Sequence, residues 1–478
     1  MTDAAMTILA PDLCVIGAGA GGLSVAASAA LMGVPVVLIE RGAMGGDCLN
    51  HGCVPSKALI AAAETAERAR HAGRFGVHLS PPSIDRAGVN AHIRAVIDAI
   101  KPVDSQERYR ALGATVITGE ARFIDARTVQ VGDTTVKARR FVIATGSRPV
   151  VPPIPGLADA GCLTNETVFD LDVIPPRLVI LGGGPIGIEL AQAHRRLGAE
   201  VTVIEAASIL AREDAEAVLA VRTALMRDGV QVIEGATVTR VSGAPGALAL
   251  DLSGEGVPSI VQASHILVAA GRRPDFTGLG LEAAGIVHDA RGITVDAAMR
   301  TSNARVFAIG DCAGGPQFTH SAGHQAGLVI RKALFRLPVR FEARAIPRVT
   351  FTDPEIAVAG WTEREARDAG LAVTLYRWPF AENDRARATG HTEGFVKALV
   401  DRKSRIVGVT IVGAHAGELL APWLLAMRQR LKISAMVDLV LPYPTLSEAS
   451  RRAALQSLTP HLRSPWLRRI LVLLRTLG

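Results

Sequence analysis

The stretch Gly45-Gly46-Asp47-Cys48-Leu49-Asn50-His51-Gly52-Cys53-Val54-Pro55-Ser56-Lys57 sets two cysteines four residues apart. Gly52 relaxes the backbone just before the second cysteine. Pro55 suits the first turn of a helix, which the apolar run Ala58-Leu59-Ile60-Ala61-Ala62-Ala63 continues. Cys53 then stands at a helix N-terminus, where backbone N–H groups and the dipole favour an anion. A thiolate is stabilised there and its pKa falls. Lys57 adds positive charge one turn later. The pattern predicts a redox-active dithiol. A structural disulfide over so short a loop would add little stability. Zinc would need a second Cys/His cluster, and Cys14, Cys162 and Cys312 are scattered.

The elements that position this pair read as two dinucleotide folds. Asp12-Leu13-Cys14-Val15-Ile16 is a buried strand running into Gly17-Ala18-Gly19-Ala20-Gly21-Gly22. An Ala-rich helix follows, then the strand Val36-Val37-Leu38-Ile39 ending in Glu40. Strand, G-x-G-x-x-G, helix, strand and terminal acid together form a dinucleotide fingerprint. Gly17 makes the turn, Gly19 admits a pyrophosphate, Gly22 lets helix and strand approach, and Glu40 holds a ribose hydroxyl. The arrangement returns at Arg177–Leu181, Gly182-Gly183-Gly184-Pro185-Ile186-Gly187 and Val201–Ile204, ending in Glu205. Two such units imply two dinucleotides. Residues 60–110 read as helical, and the Pro-rich stretch Pro149 to Pro155 reads as a connection between domains.

The 478 residues suggest about three domains. Five cysteines at irregular spacing do not form a secreted disulfide framework. The net charge of +7 comes without a dense Lys/Arg block, which argues against nucleic acid. No basic n-region marks a signal peptide, and no apolar run is long enough to span a bilayer. The expected location is the cytoplasm.

Gly-Gly-x-Cys-Leu-Asn-x-Gly-Cys-Val-Pro-Ser-Lys resembles the active-site signature of the class I flavoprotein disulfide reductases, the pyridine nucleotide–disulfide oxidoreductases. The resemblance runs from about residue 12 to about residue 460 and is closest to the mercuric reductase-like and dihydrolipoamide dehydrogenase-like members. It implies an α/β fold: two Rossmann-type dinucleotide-binding domains, for FAD and NAD, and a C-terminal α+β dimerisation domain. The expected boundaries are 1–150 for the first FAD segment, 151–272 for the NAD(P) domain, 273–340 for the second FAD segment, 341–462 for dimerisation and 463–478 for a tail.

Further roles follow from the resemblance. The FAD site takes Gly17, Gly19, Gly22, Glu40, Gly46, Asp47, Lys57, Thr145, Gly146, Gly310, Asp311 and His320. Asp311 holds a ribityl hydroxyl, and the backbone of His320 touches the isoalloxazine. The NAD site takes Gly182, Gly184, Gly187, Glu205 and Gly271. Glu205 favours NADH because a carboxylate repels a 2′-phosphate, although Arg212 keeps NADPH as an alternative. Glu189 pairs with Lys57. Electrons are expected to pass from NADH through FAD to the Cys48–Cys53 disulfide. Cys53 is then the flavin-facing thiolate and Cys48 the thiol that attacks substrate. A homodimer is implied, because Tyr443 and Glu448 would complete the partner's site.

The departure lies in Leu441-Pro442-Tyr443-Pro444-Thr445-Leu446-Ser447-Glu448. Dihydrolipoamide dehydrogenases and glutathione reductases carry a proton-shuttling histidine where Tyr443 stands. A tyrosine with an ordinary pKa of about 10 is poorly matched to base work at neutrality. Mercuric reductases also have this tyrosine, but use a cysteine pair near the C-terminus and an N-terminal metal-binding domain. This chain has no cysteine after Cys312, and it is expected to lack that domain. His51 is an alternative acid/base. The acceptor is a disulfide or another thiol-reactive species. Dihydrolipoamide oxidation, metal-ion reduction and a membrane-associated redox partner or sensor are the alternatives. No protein metal site is expected.

The last fifteen residues, Ser464 to Gly478, read as a basic amphipathic helix. Arg468, Arg469, Arg475 and Thr476 share one side, while Trp466, Ile470, Leu473, Leu474 and Leu477 occupy much of the rest. Two readings stand: the tail lies on the inner face of the membrane, or it packs on its own dimer.

Overall fold

A computed structural model describes residues 7–462 and 464–476. The chain forms two compact units. One comprises the chain up to Ile209 together with Gly229–Ala343; the other comprises Leu210–Asp228 and the chain from Arg344 onward.

Each dinucleotide fold in the first unit rests on a parallel sheet. In the first fold the strands run in the order Val306–Ala308, Arg140–Ile143, Leu13–Ile16, Val36–Glu40, Thr115–Thr118. In the second they run Gln231–Glu234, Glu200–Glu205, Arg177–Leu181, His265–Val268. Ile16 pairs with Ile39, and Leu181 with Ile204, so the two glycine turns leave equivalent sheet edges. Leu13–Ile16 is wholly buried, as expected of a parallel strand covered on both faces. Helices Ala20–Leu31 and Pro185–Arg196 follow the turns. The short strands Ser147–Pro149 and Arg272–Pro274 pair antiparallel, joining the chain where it leaves one fold to where it leaves the other.

The expectation of helix over 60–110 holds only in pieces. The helix begun at Cys53 ends at Arg70, and helix resumes over Arg86–Ile100 and Gln106–Ala111. Pro81 and Pro82, which lack N–H donors, lie in the interruption.

The second unit carries a five-stranded antiparallel sheet: Arg348–Thr350, Glu355–Gly360, Ile406–Gly413, Phe395–Val400, Thr374–Pro379. Trp423 is completely buried in its core, and its indole N–H donates to Ser450 Oγ at 3.0 Å. Helix Ala215–Asp228 belongs to this unit although its sequence lies inside the second dinucleotide fold. The buried Lys397 ammonium explains the attachment. It meets Asp214 at 3.0 Å and Glu216 at 3.1 Å, and Arg377 also pairs with Glu216. Near the C-terminus Pro465–Arg475 is helical, with Pro at its start; Leu477 and Gly478 lie outside the described residues. Among the described residues no helix is long and apolar enough to cross a membrane.

Candidate functional site

Gly46–Asn50 forms a short helix, Gly52 caps the next, and Cys53 is the first residue of the helix Cys53–Arg70. Cys53 is exposed and Cys48 half-buried, both as free thiols. Cys53 is held down to a pKa of about 6, first by the Cys48 thiol hydrogen-bonded to it; the Thr319 hydroxyl and Lys57 assist, against burial. Cys48 is pushed up by the same hydrogen bond and by burial. The pair therefore holds one anion, on Cys53, with Cys48 as its proton-bearing partner. Thr319 Oγ1 lies 3.6 Å from Cys53 Sγ, at the start of the helix Thr319–Ala333. Nothing local marks Thr319, which stands 266 positions from Cys53 in the chain. Cys14 and Cys312 are buried thiols that burial pushes up.

Lys57 Nζ donates to Glu189 Oε2 at 2.8 Å. Glu189 lies on the helix that follows the second glycine turn and is only 6 % exposed. Each charge offsets the other's desolvation, and removing Lys57 would take that compensation from a buried carboxylate.

Asp47 anchors a separate polar network. Its Oδ1 accepts from Asn165 Nδ2 at 3.0 Å and lies 3.2 Å from Arg272 Nη2. Asn165 Nδ2 also donates to the His51 carbonyl at 3.1 Å, and Arg272 Nη1 donates to Asn165 Oδ1 at 3.1 Å. Arg272 Nε donates to Ser147 Oγ at 2.8 Å, and that hydroxyl donates to Asp311 Oδ2 at 2.6 Å. Burial pushes the Asp311 carboxyl up, opposed by Ser147. One guanidinium thus ties Asp47, and through Asn165 the His51 carbonyl, to the Asp311 turn. Asp47, expected among the flavin contacts, has its carboxylate engaged by this network. Arg272 follows Gly271 directly, a position that could have drawn notice; Asn165 carries no local signal.

The two glycine turns fit dinucleotides. A Cβ on Gly22 would lie 1.8 Å from the Gly17 carbonyl, and one on Gly187 would lie 2.1 Å from that of Gly182, so each helix packs directly on its turn. Neither following helix has a side-chain cap at its N-terminus, where free N–H groups suit a phosphate. Glu40 accepts from the N–H groups of Ala18 at 2.6 Å and Gly42 at 2.7 Å. Glu205 repeats this with Gly183 at 2.7 Å and Ala207 at 2.9 Å. Thr145 Oγ1, beside Gly146, is buried against the Cys312 thiol and has no closer hydrogen-bond partner among the described residues. Gly310 N–H donates to Gln325 Oε1 at 2.7 Å. The His320 ring is exposed and stacks on Phe318 with centroids 5.2 Å apart. Arg212 belongs to the second unit.

Tyr443 and Glu448 also belong to the second unit. Tyr443 is 70 % exposed, and its hydroxyl donates to Asp384 Oδ2 at 2.9 Å. That hydrogen bond and the Asp384 charge push the phenol up, holding it protonated. Glu448 pairs with Arg452 at 3.3 Å, and His51 is exposed. No group of three or more His, Cys, Asp or Glu residues is placed to hold a metal among the described residues.

The chain is similar to known proteins over nearly its whole length. Mercuric reductase from Bacillus cereus is 34 % identical over 451 residues, covering 93 % of this chain and 71 % of that protein. Dihydrolipoyl dehydrogenase from Pseudomonas aeruginosa is 37 % identical over 461 residues, covering 94 % and 98 %. The HOCl-induced flavoprotein disulfide reductase RclA from Escherichia coli, solved as its Cu(II) complex, superposes with a TM-score of 0.82 at 28 % identity, covering 92 % of this chain and 98 % of that one. Residues 346–454 match the dimerisation domain of the same family. Residues 11–326 match the family described as pyridine nucleotide-disulphide oxidoreductase, and the chain belongs to it.

Proposed function

We propose that the protein draws electrons preferentially from NADH and delivers them through Cys53 and Cys48 to a thiol-reactive acceptor other than lipoamide. Membership of the family makes it an FAD-dependent NAD(P)H oxidoreductase. When bound, FAD supplies the electron pair that opens the Cys48–Cys53 disulfide. This chain's residues then divide the work. Cys53 holds the resulting anion, stabilised by Thr319 and by the helix N-terminus. Cys48, kept protonated against it, is the interchange thiol that meets the acceptor. Lys57 and Glu189 keep opposite charges fixed beside the pair.

The observation that carries the reading is Cys53 at the first position of its helix, with the Cys48 thiol and the Thr319 hydroxyl against it, an arrangement that lowers the Cys53 pKa. The preference for NADH rests on Glu205, whose carboxylate is fixed at the end of its strand by two backbone donors. In the homodimer that the dimerisation domain implies, Tyr443 and Glu448 would face the partner's dithiol. A phenol held protonated by Asp384 donates a hydrogen bond but takes no proton at neutral pH. That disfavours dihydrolipoamide oxidation and favours acceptors that need only a thiol attack, such as reactive disulfides or soft metal ions.

The test is an anaerobic titration of the purified protein with NADH, followed by visible absorption. Two-electron reduction with a long-wavelength thiolate–flavin band, absent in Cys53→Ser, is expected. Reduction without that band in the wild type would mean the dithiol is not coupled to FAD.

A further inference from the structure

We propose that the helix Pro465–Arg475 docks the protein on an anionic lipid surface. None of its residues is buried: Trp466 is 70 %, Leu473 61 %, Leu474 56 % and Leu471 49 % exposed. At about 100° per residue, Leu473, Trp466, Ile470, Leu474, Leu467 and Leu471 fall in sequence around one continuous arc. Arg469 stands at one border of that arc, and Arg468 and Arg475 stand at the other. None of these three guanidiniums has an acidic partner among the described residues.

The charge pattern selects the occupant. After Glu448 the sequence contains Arg451, Arg452, Arg463, Arg468, Arg469 and Arg475 and no acid at all. If two copies of this helix paired through their apolar arcs, arginine borders would meet arginine borders with no acidic side chain on either helix to offset them. A lipid surface removes the conflict. The arc sinks to the boundary between head groups and acyl chains, with Trp466 at its edge. The arginines reach sideways to anionic head groups, their stems covering apolar surface. Each basic residue at such a surface adds binding that salt screens.

The experiment sediments the full-length, FAD-loaded protein with vesicles of equal phosphatidylglycerol and phosphatidylcholine, and with vesicles of phosphatidylcholine alone. Binding to the anionic vesicles is expected, with at least about tenfold weaker partitioning to the neutral ones. The triple variant Arg468→Glu/Arg469→Glu/Arg475→Glu and the double variant Leu471→Asp/Leu474→Asp should each lose about as much. Deleting residues 464–478 should abolish binding while FAD content and NADH–ferricyanide activity stay unchanged, which shows that the fold survives. Equal binding to both compositions, or binding retained after deletion, would overturn the proposal. So would a wild type that ignores vesicles while the Leu471→Asp/Leu474→Asp variant falls from dimer to monomer, an outcome that assigns the helix to a second copy.

Discussion

The two dinucleotide folds share sheet, turn and terminal acid, and differ in what stands over the second glycine of each turn. In the first fold the redox loop returns across it. The Gly45 N–H donates to the Ala18 carbonyl at 2.9 Å, and a Cβ on Gly46 would lie 2.7 Å from Gly19 Cα. Gly46 also has a φ of +62°, which side-chain-bearing residues rarely adopt. In the second fold a Cβ on Gly184 would meet nothing within 4 Å among the described residues. The same local pattern therefore makes a roofed cradle and an open one. A roofed cradle suits a resident cofactor beside a dithiol, and an open one suits a cofactor that must leave after each turnover.

Methyl groups break the comparison most directly. Gly46→Ala forces a clash with backbone and an unfavourable φ, so the protein should purify with under about a tenth of its flavin, read from the visible-to-ultraviolet absorbance ratio. Gly184→Ala should keep its flavin and raise KM for NADH roughly tenfold, about 1.4 kcal/mol of lost binding. Flavin loss in both variants would show that the open cradle is structural as well.

Arg272→Met removes the tie between the redox loop and the Asp311 turn. Asp47 and Asn165 lose their shared donor, and acceptor turnover should fall by about 10- to 100-fold with flavin retained. Arg272→Lys should not restore it, because an ammonium cannot reproduce the forked contacts to Ser147 and Asn165. Steady-state kinetics and the amplitude of the long-wavelength band check both.

Glu205→Gln sharpens the difference between the two terminal acids. It should raise KM for NADH severalfold, by roughly 1 kcal/mol, and narrow the gap to NADPH. Competition between the two cofactors measures it.

The smallest effect concerns pH. Thr319→Val removes a donor from the Cys53 thiolate, so the thiolate is less stable and its pKa rises. The midpoint of the thiolate band, expected near about 6, should move up by roughly one unit. A fixed or lower midpoint would remove Thr319 from the account. The wild-type band should be full above neutrality and fade as pH falls through the midpoint.

Much of this was legible without coordinates. The strand–glycine–helix–strand pattern needs only local sterics and hydrophobic periodicity, so Gly17 to Gly22 and Gly182 to Gly187 announce themselves. Cys53 at a helix N-terminus follows from Gly52 and Pro55 for the same reason. The pairing of Lys57 with Glu189 came from resemblance and not from spacing, since 132 residues separate them.

Neighbours in the chain carry enough to read two dinucleotide folds, a reactive cysteine at a helix start and an amphipathic end. Everything carried by distant residues waited on folding. Thr319 reaches Cys53 across 266 positions. Arg272 gathers Asp47, Asn165 and Ser147, which no local pattern links. Helix Ala215–Asp228 joins the second unit because Lys397 must neutralise its charge in a buried place. Short-range sterics can be read along a chain. The company a buried charge keeps is settled only by folding, because desolvation makes each such group depend on whichever opposite charge the fold brings to it.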